Sequence, residues 1–210
     1  MTLKIYGTAA SRAARPLWVA HELGLIYEHI ALPYVGGATR TPEFLAINPN
    51  GRIPVVEDDG VLVWESMACA LYLAERFKPE GVPSLAADNH AEMAEILRWS
   101  FWVVTECEKD ALTYLMHRVI MPAERRKPQL ADEAQRRLLT PLGVLNQHLK
   151  TNRYLAGERF TVADICVACV VAWVQDATAL MDQCPEVEAW LQLCISRPAF
   201  LVVKNLDKSA

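Results

Sequence analysis

The stretch IPVVEDDGVLVWES, residues 53–66, decides the fold of the first part of the chain. It holds two runs rich in β-branched and aromatic residues, Ile53–Glu57 and Val61–Trp64, joined by an Asp-Asp-Gly turn. An Asp-Gly turn between two such runs is typical of an antiparallel β-hairpin. A helical pattern over Ser66–Phe77 follows without a break. The stretch therefore predicts a hairpin that leads directly into a helix.

The residues before this hairpin predict the rest of a small sheet. Leu3–Tyr6 and Tyr27–Leu32 have strand patterns, and between them a helix is expected from about Ala13 to a C-terminal stop at Gly24. The dipeptide Thr41-Pro42 is typical of a short helix start. The order β-α-β, short helix, β-β-α predicts a mixed sheet with a right-handed parallel crossover and an antiparallel hairpin.

The character of the chain changes after Lys78. The Pro- and Gly-rich residues that follow predict a linker over 79–88. Beyond the linker, helical patterns fill the sequence and no strand pattern is convincing. The expected helices lie near Asn89–Arg118, Asp132–Lys150, Thr161–Ala177 and Pro185–Ser196. We therefore expect an α/β domain over residues 1–78 and an all-helical domain over residues 89–210.

Composition and charge exclude several classes of protein. The chain has 210 residues, is 52% hydrophobic and carries a formal net charge of −4, without a basic stripe. These values argue against disorder, nucleic-acid binding and binding to anionic membranes. No apolar run reaches the ~18–20 residues that cross a bilayer, and the N-terminus lacks the pattern of a signal peptide. We expect a cytoplasmic protein.

The six cysteines are interpreted as structural. They lie in apolar, helical stretches without the framework spacing of a small secreted protein. Cys166 and Cys169 have the C-x-x-C spacing of redox and zinc sites, but they lie within the apolar run Ile165–Val174. Apolar burial raises the pKa of a thiol and makes it inert. No second Cys pair or His pair stands nearby, so we expect neither a metal nor a redox centre.

Four segments together resemble the glutathione S-transferase family, over nearly the whole chain. They are residues 11–25, the loop NPNGRIPVV at 48–56, the Glu65-Ser66 helix opening with its following Leu-Tyr-Leu, and residues 154–164. The resemblance implies a thioredoxin-like domain, an all-helical domain that forms the electrophile pocket, and usually a homodimer. It implies glutathione as co-substrate and no metal. The position of Ser11 suggests a bacterial-type, theta- or delta-like member.

The resemblance assigns glutathione to the loops of the first domain. Ile53-Pro54 stands where the family has a cis peptide, and the Ile53 backbone would bond the cysteinyl part of glutathione. Ser66 would hold the γ-glutamyl carboxylate and Glu65 the amino group, which suits a helix N-terminus. The residues alone also allow an edge-strand proline and a Ser66 N-cap that accepts from first-turn N–H groups.

Cationic side chains are expected near glutathione because the tripeptide is an anion overall. Arg12, Arg40 and Arg52 all fall in the loops predicted to line the site. Arg52 directly precedes the Ile-Pro pair, and Arg40 lies in the segment where family members commonly hold the glycyl carboxylate. The alternative for each is a solvated surface arginine.

The resemblance also implies a catalytic hydroxyl. Ser11 stands four residues before Arg15, the spacing of the serine in theta-like and delta-like members, where it donates a hydrogen bond to the glutathione sulfur. Tyr6 stands too early for this role, Thr8 is the other candidate donor, and Ser11 as a plain helix-entry residue remains an alternative. A thiol of pKa ~8.5 is only about 3% ionised at pH 7, so stabilising the thiolate is the chemistry required.

The electrophile pocket and the reaction type stay open. Trp102 and Tyr114 are the candidate pocket residues, although an aromatic stripe at helical spacing is often core. Thr161 to Asp164 is a capping-box pattern, which we interpret as structural. The expected activity is conjugation of glutathione to small hydrophobic electrophiles. The alternatives are peroxide reduction, dehalogenation, and a non-catalytic binding protein of the same fold.

Overall fold

A computed structural model gives the conformation of residues 2–80 and 84–208. The chain divides into two compact units. The first contains the residues up to Ala86 together with the C-terminal residues from Ser196, and the second is Ala87–Ile195. The predicted linker over 79–88 lies partly outside the described residues, at 81–83. The C-terminal residues from Ser196, which we expected in the helical domain, group with the first unit.

Four strands of the first unit form one mixed sheet. They are β1 (Leu3–Tyr6), β2 (Glu28–Ile30), β3 (Val55–Asp58) and β4 (Val61–Trp64). Their order is β2-β1-β3-β4, with β2 parallel to β1 and the other two pairs antiparallel. Asp59 and Gly60 form the hairpin turn with positive φ, as the favoured two-residue turn requires. The predicted hairpin and mixed sheet are confirmed.

Ten α-helices lie in the described residues, and six of them, α4–α9, make up the second unit. They are α1 (Ala14–Glu22), α2 (Pro42–Ile47), α3 (Ser66–Arg76), α4 (His90–Trp102), α5 (Glu108–Leu115), α6 (Pro128–Leu149), α7 (Val162–Val171), α8 (Thr178–Met181), α9 (Pro185–Ile195) and α10 (Pro198–Asn205).

The helices of the first unit begin where local chemistry predicts. Pro16 lies in the first turn of α1, where a missing N–H is tolerated. The Thr41 hydroxyl caps α2 by accepting from the Phe44 N–H at 3.3 Å. Trp18 and Leu17 of α1 are fully buried, as are Ile5 and Val56 of the sheet. The helix α10 was not expected from the sequence, although Pro198 at its first position is typical of a helix start.

The second unit is helical, as predicted, but two of its expected helices are interrupted. The helix expected over 89–118 is broken by π-helical turns at Val103–Cys107 and Met116–Ile120. In place of one helix over 161–177, α7 ends at Val171 and a 3-10 turn follows it before α8. Among the described residues, no helix is both long and apolar enough to span a membrane.

The predicted capping box at the start of α7 is confirmed. Asp164 is fully buried, and its carboxylate accepts from the N–H groups of Thr161 at 2.9 Å and Leu155 at 3.0 Å. It also accepts from the Trp190 indole N–H at 3.0 Å. Burial raises the pKa of Asp164 to about 6 in spite of these bonds. The carboxylate is therefore an internal anchor, and its partners all belong to the protein.

The C-x-x-C pair lies in the same helix. Cys166 and Cys169 are buried among apolar side chains of α7, and their sulfurs form no disulfide. In the described part of the chain, no group of three or more His, Cys, Asp or Glu side chains is arranged to hold a metal ion.

Candidate functional site

The loop between β1 and α1 carries the predicted catalytic hydroxyl. The half-buried Ser11 side chain donates from Oγ to the Thr8 carbonyl at 2.7 Å and accepts from the Ala13 N–H at 3.1 Å. The Thr8 carbonyl also accepts from the Ser11 N–H at 3.0 Å. Ser11 therefore closes the turn that enters α1, which is the helix-entry role that the sequence allowed. Its hydroxyl proton is held by a backbone carbonyl only.

The two other hydroxyls near this loop are placed differently. The Thr8 Oγ1 atom is buried and has no hydrogen-bond partner among the residues that the structure describes. The Tyr6 hydroxyl donates to Glu57 at 2.6 Å, and burial together with this bond raises the pKa of Tyr6 to about 12. Tyr6 is thus engaged on β3, in line with its exclusion as a thiol donor.

The loop before β3 is organised by a buried asparagine. Asn48, 2% exposed, donates from Nδ2 to the Arg52 carbonyl at 2.7 Å and accepts at Oδ1 from the Asn50 N–H at 3.0 Å. The loop ends at Ile53-Pro54, whose peptide is cis, as the resemblance implied. Within the described residues the Ile53 N–H and carbonyl make no hydrogen bond, and Ile53 is half-buried. Sequence reasoning did not assign Asn48 this role.

The loop that carries Ser11 and the loop that ends at Ile53-Pro54 meet at Gly7. This glycine has a φ of +127°, and a Cβ on it would lie 2.8 Å from the Ala13 Cβ and 3.1 Å from the Ile53 Cβ. Any side chain at position 7 would push the two loops apart. Gly7 therefore lets the segment that carries Ser11 lie against the segment that carries Ile53. The close contact brings two of the predicted site residues into one region.

The start of α3 supplies a third part of the site. Ser66 is the first helical residue, and Glu65 occupies the cap position with a φ of +72° and an exposed side chain. The alternative interpretation of Ser66 as an N-cap does not hold, because its hydroxyl accepts from the Arg15 Nη1 at 2.7 Å and no side chain caps the helix. Arg15 is only 1% exposed. A buried guanidinium thus lies directly behind Ser66.

The contact between Arg15 and Ser66 was not predicted from the sequence, where Arg15 only marked the four-residue spacing from Ser11. The signal available is an arginine on an otherwise apolar stretch of α1, next to Leu17 and Trp18. A charged side chain is almost never fully buried unless it is paired. Such a position therefore indicates a polar partner elsewhere in the fold, although the sequence does not say where.

The predicted arginines lie beside the Asn48 loop. Arg40 is exposed, donates to the Asn50 carbonyl at 3.3 Å, and has Nη1 only 2.8 Å from where a Cβ on Gly51 would be. Gly51 itself has a φ of +58°. Arg52 is exposed next to Ile53, and Arg12 is exposed in the β1–α1 loop. Arg40 and Arg52 therefore border the same loop, with their charges toward solvent.

The two electrophile-pocket candidates belong to the second unit. Trp102 ends α4, is half-buried, and packs edge-on against Trp99 with ring centroids 5.0 Å apart. Tyr114 of α5 is 5% exposed, and burial raises the pKa of its hydroxyl. Tyr114 is therefore mainly a core side chain of this unit, whereas Trp102 keeps accessible surface.

Comparison with known proteins agrees with this arrangement. The chain matches the family models of the glutathione S-transferase N-terminal domain over residues 1–75 and of the C-terminal domain over residues 93–198. Glutathione S-transferase 3 from Zea mays is 32% identical over 208 residues, covering 94% of this chain and 91% of that protein. The chain belongs to the glutathione S-transferase family, and the expected thioredoxin-like and all-helical architecture is confirmed.

Two further relatives mark the range of this family. The theta class glutathione S-transferase from Xanthomonas axonopodis pv. citri, solved with glutathione bound, is 27% identical with a TM-score of 0.82, covering 95% of both chains. Elongation factor 1-gamma from Equus caballus is 32% identical over 200 residues, covering 91% of this chain but 44% of that protein. The chain thus spans less than half the length of the second relative.

Proposed function

We propose that this protein binds glutathione, stabilises its thiolate and conjugates it to small hydrophobic electrophiles, as a glutathione S-transferase. The observation that carries the proposal is the start of α3, which is called open here because no side chain caps it. At this start the buried Arg15 guanidinium donates a hydrogen bond to Ser66. A helix N-terminus with a cation behind it favours a carboxylate. Glutathione presents carboxylates at both of its ends, and membership of the family supports the same ligand.

Three segments of the first unit share the proposed contacts with glutathione. The Ser66 N–H and hydroxyl take the γ-glutamyl carboxylate, and Glu65, exposed beside them, takes the amino group. Because Arg15 donates to the Ser66 oxygen, the Ser66 proton is directed away from Arg15 and is available for a ligand oxygen. The Ile53 N–H and carbonyl bond the cysteinyl part. Arg40 and Arg52 supply charge for the remaining carboxylate.

Thiolate stabilisation falls to Ser11. Its hydroxyl, which donates to the Thr8 carbonyl in the structure, turns to donate to the glutathione sulfur when glutathione binds. Lowering a thiol pKa by two units corresponds to ~2.7 kcal/mol, and one hydrogen bond to a charged group contributes ~1.5–3 kcal/mol. The thiol proton leaves to solvent, and the sulfur lone pair forms the new bond to the electrophilic carbon. The bond from that carbon to its leaving group breaks, and the leaving group departs to solvent with the bonding electron pair, as chloride does from a chlorinated nitrobenzene. Thr8 is the alternative donor.

The electrophile is assigned to the helical unit, where the half-buried Trp102 and the mostly buried Tyr114 are the proposed contacts. A homodimer is part of the proposal, with each small domain on the helical domain of its partner. It is supported by the exposed apolar side chains of Val61, Leu62 and Trp64 in the first unit, and of Leu97, Phe101 and Val104 in the second. The proposed location is the cytoplasm, with no nucleic-acid or membrane partner.

The proposed subtype depends on the position of one serine. The bacterial, theta- or delta-like assignment rests on the spacing of Ser11 and Arg15, and a theta class relative is 27% identical. A plant relative is 32% identical, so identity alone does not favour the bacterial subtype. Peroxide reduction and dehalogenation use the same thiolate and stay as alternative reactions.

A second candidate function is non-catalytic binding. The similarity to elongation factor 1-gamma favours it, because that match covers 91% of this chain. The two functions differ at Ser11 and at the open start of α3, since a scaffold needs neither an available hydroxyl nor an uncapped helix.

Titration calorimetry separates the two candidates. We expect the protein to bind glutathione, and to bind an S-alkyl conjugate of glutathione through the same contacts. Turnover of a chlorinated nitrobenzene then tests conjugation. Binding of neither ligand would overturn the enzymatic proposal and leave the non-catalytic one. Binding without turnover of electrophiles or peroxides would point to a glutathione-binding protein.

A further inference from the structure

We propose that Asp207 is a positioning residue for the loop between β1 and α1, which carries Ser11 and is called the catalytic loop here. In this proposal the C-terminal segment from Arg197 to Asp207 acts as a latch, because it holds the loop in the conformation that positions Ser11. The inference rests on the proposed function, which it deepens. Asp207 accepts at Oδ1 from the Ala9 N–H at 3.1 Å and at Oδ2 from the Ala10 N–H at 2.8 Å. One carboxylate thus holds two consecutive backbone donors, and the second of them directly precedes Ser11.

The latch is anchored along α1, the helix that this loop enters. Phe200 of α10 packs on the buried Trp18 with ring centroids 4.7 Å apart. The Arg197 guanidinium, just before α10, donates to both carboxylate oxygens of Glu22 at 2.6 and 2.7 Å. Glu22 also accepts from the Trp18 indole N–H at 3.0 Å. These contacts fix α10 on α1, and the 3-10 turn that follows brings Asp207 to the loop.

The loop has few other ties between Gly7 and Ser11. The Gly7 N–H bonds the Ile30 carbonyl at 2.9 Å, and the Gly7 carbonyl contacts the His29 ring at 2.7 Å. After Gly7, the Thr8 hydroxyl has no partner among the described residues, and the Thr8 carbonyl is bonded only by Ser11. Asp207 therefore supplies the external hold on the middle of the loop. Charge-assisted bonds to backbone N–H groups are about twice as strong as neutral ones.

Occupation of these two N–H groups has a chemical consequence. Consecutive N–H groups form an anion-binding concavity, and here a carboxylate of the protein fills it. The Ala9 and Ala10 N–H groups are consequently unavailable to the glutathione sulfur, so that a side-chain hydroxyl of the loop, Ser11 in this proposal, provides the hydrogen bond. The Asp207 charge by itself opposes a thiolate. Its net contribution is therefore favourable only through the position it gives Ser11.

These two effects have opposite signs, which makes the proposal testable. If Asp207 positions Ser11, removing its carboxylate raises the pKa of the bound glutathione thiol. If Asp207 acts only as a negative charge, removing it lowers that pKa. A purely structural role moves the melting temperature and leaves the pKa unchanged.

The experiment uses the full chain with Asp207→Ala, Asp207→Asn and the control Lys204→Ala, an exposed side chain on α10. In Asp207→Ala, amide exchange at Ala9 and Ala10 should accelerate about tenfold or more, the range for a lost bond to a charged group. We expect the thiol pKa to rise, and kcat to fall about tenfold with KM for glutathione within about twofold, because misplacement costs turnover before it costs binding. Asp207→Asn keeps one acceptor oxygen and should lie between Asp207→Ala and the wild type. Lys204→Ala should change nothing.

Unchanged exchange at Ala9 and Ala10 would overturn the latch. Faster exchange with an unchanged or lowered thiol pKa would overturn the positioning of Ser11. If Asp207→Ala does not fold, the same readouts in Asp207→Asn decide the question. If the wild-type protein binds no glutathione, the proposed function fails together with the thiol part of this inference, and the exchange rates still show whether Asp207 holds the loop.

Discussion

The starts of α3 and α7 differ in how their polar groups are satisfied. At α7, Asp164 is fully buried and takes donors from Thr161, Leu155 and Trp190, so its bonding capacity is used inside the protein. At α3, no side chain caps the helix, Glu65 is exposed, and Ser66 is held from behind by Arg15. The start of α7 is therefore closed, because its carboxylate is bonded within the protein, and the start of α3 is open, because no side chain caps it.

The difference shows which polar residues belong to folding and which to binding. A buried carboxylate whose partners are all internal has nothing left to offer a ligand. A helix start whose N–H groups lack a side-chain cap, with a buried cation behind it, has unused capacity for an anion. Both starts carry one acidic and one hydroxyl residue, adjacent at Glu65-Ser66 and three positions apart at Thr161 and Asp164, so composition alone does not separate them.

The largest expected effect is on stability at the closed start. Asp164→Ala leaves the Thr161, Leu155 and Trp190 donors unpaired and should lower the free energy of unfolding by about 3–5 kcal/mol. Chemical denaturation measures this free energy, provided that the wild type and the variant share the same slope of unfolding free energy against denaturant concentration. Asn89→Ala, which removes the exposed cap of α4, is the control and should cost about 1 kcal/mol. A loss as small as that of the control would remove Asp164 as the anchor of this unit.

The next effect is on the thiol. Ser11→Ala should raise the pKa of bound glutathione by about one to two units, the equivalent of one charge-assisted hydrogen bond. Its affinity for glutathione should change little. Thr8→Ala is the matched control, since the Thr8 hydroxyl is buried within the same loop. The thiolate absorbance of bound glutathione across pH reports both. A shift in Thr8→Ala and none in Ser11→Ala would identify Thr8 as the donor.

Ser66→Ala tests the open start directly. We expect glutathione affinity to weaken by about 1–3 kcal/mol, the range for losing a hydrogen bond to a charged group. Because Arg15 loses its hydrogen bond to Ser66 as well, the melting temperature has to be measured alongside the affinity. Asn89→Ala again serves as the stability control, and it should leave affinity unchanged. Equal affinities in the wild type and Ser66→Ala would remove Ser66 from the site.

The smallest expected effect is at the exposed arginines. Arg40→Ala and Arg52→Ala should each weaken glutathione binding about two- to fivefold, as expected for solvent-screened charges. The loss should shrink as salt is raised, which calorimetry at two ionic strengths measures. An effect that is independent of salt would mean that these residues act through the shape of the Asn48 loop.

Sequence reasoning succeeded where the determinants are local. The β3–β4 hairpin follows from a turn of neighbouring residues, and the capping box links residues three apart. It failed where the determinants are distant in sequence. Arg15 meets Ser66 across 51 positions, and Ala9 meets Asp207 across 198. Such contacts depend on the packing of α3 and α10 against α1, which no local pattern encodes.

The Ser66 prediction illustrates the same limit. A serine at the start of a helix is most often an N-cap, and here the neighbouring Glu65 takes that position with a left-handed φ. Asn48 was likewise noted only as part of the 48–56 segment, and Gly7 only as the end of the first strand. Their importance depends on which backbone groups lie within reach, and this is settled only by the folded loops.

The pH titration of thiolate absorbance in the wild-type complex with glutathione tests the central claim most directly. The account predicts a midpoint about two units below the ~8.5 of a free thiol. Such a midpoint would establish both that the first unit binds glutathione and that it activates the sulfur. A bound thiol that titrates like free glutathione would contradict the assignment of a thiolate-stabilising site to Ser11 and the open start of α3.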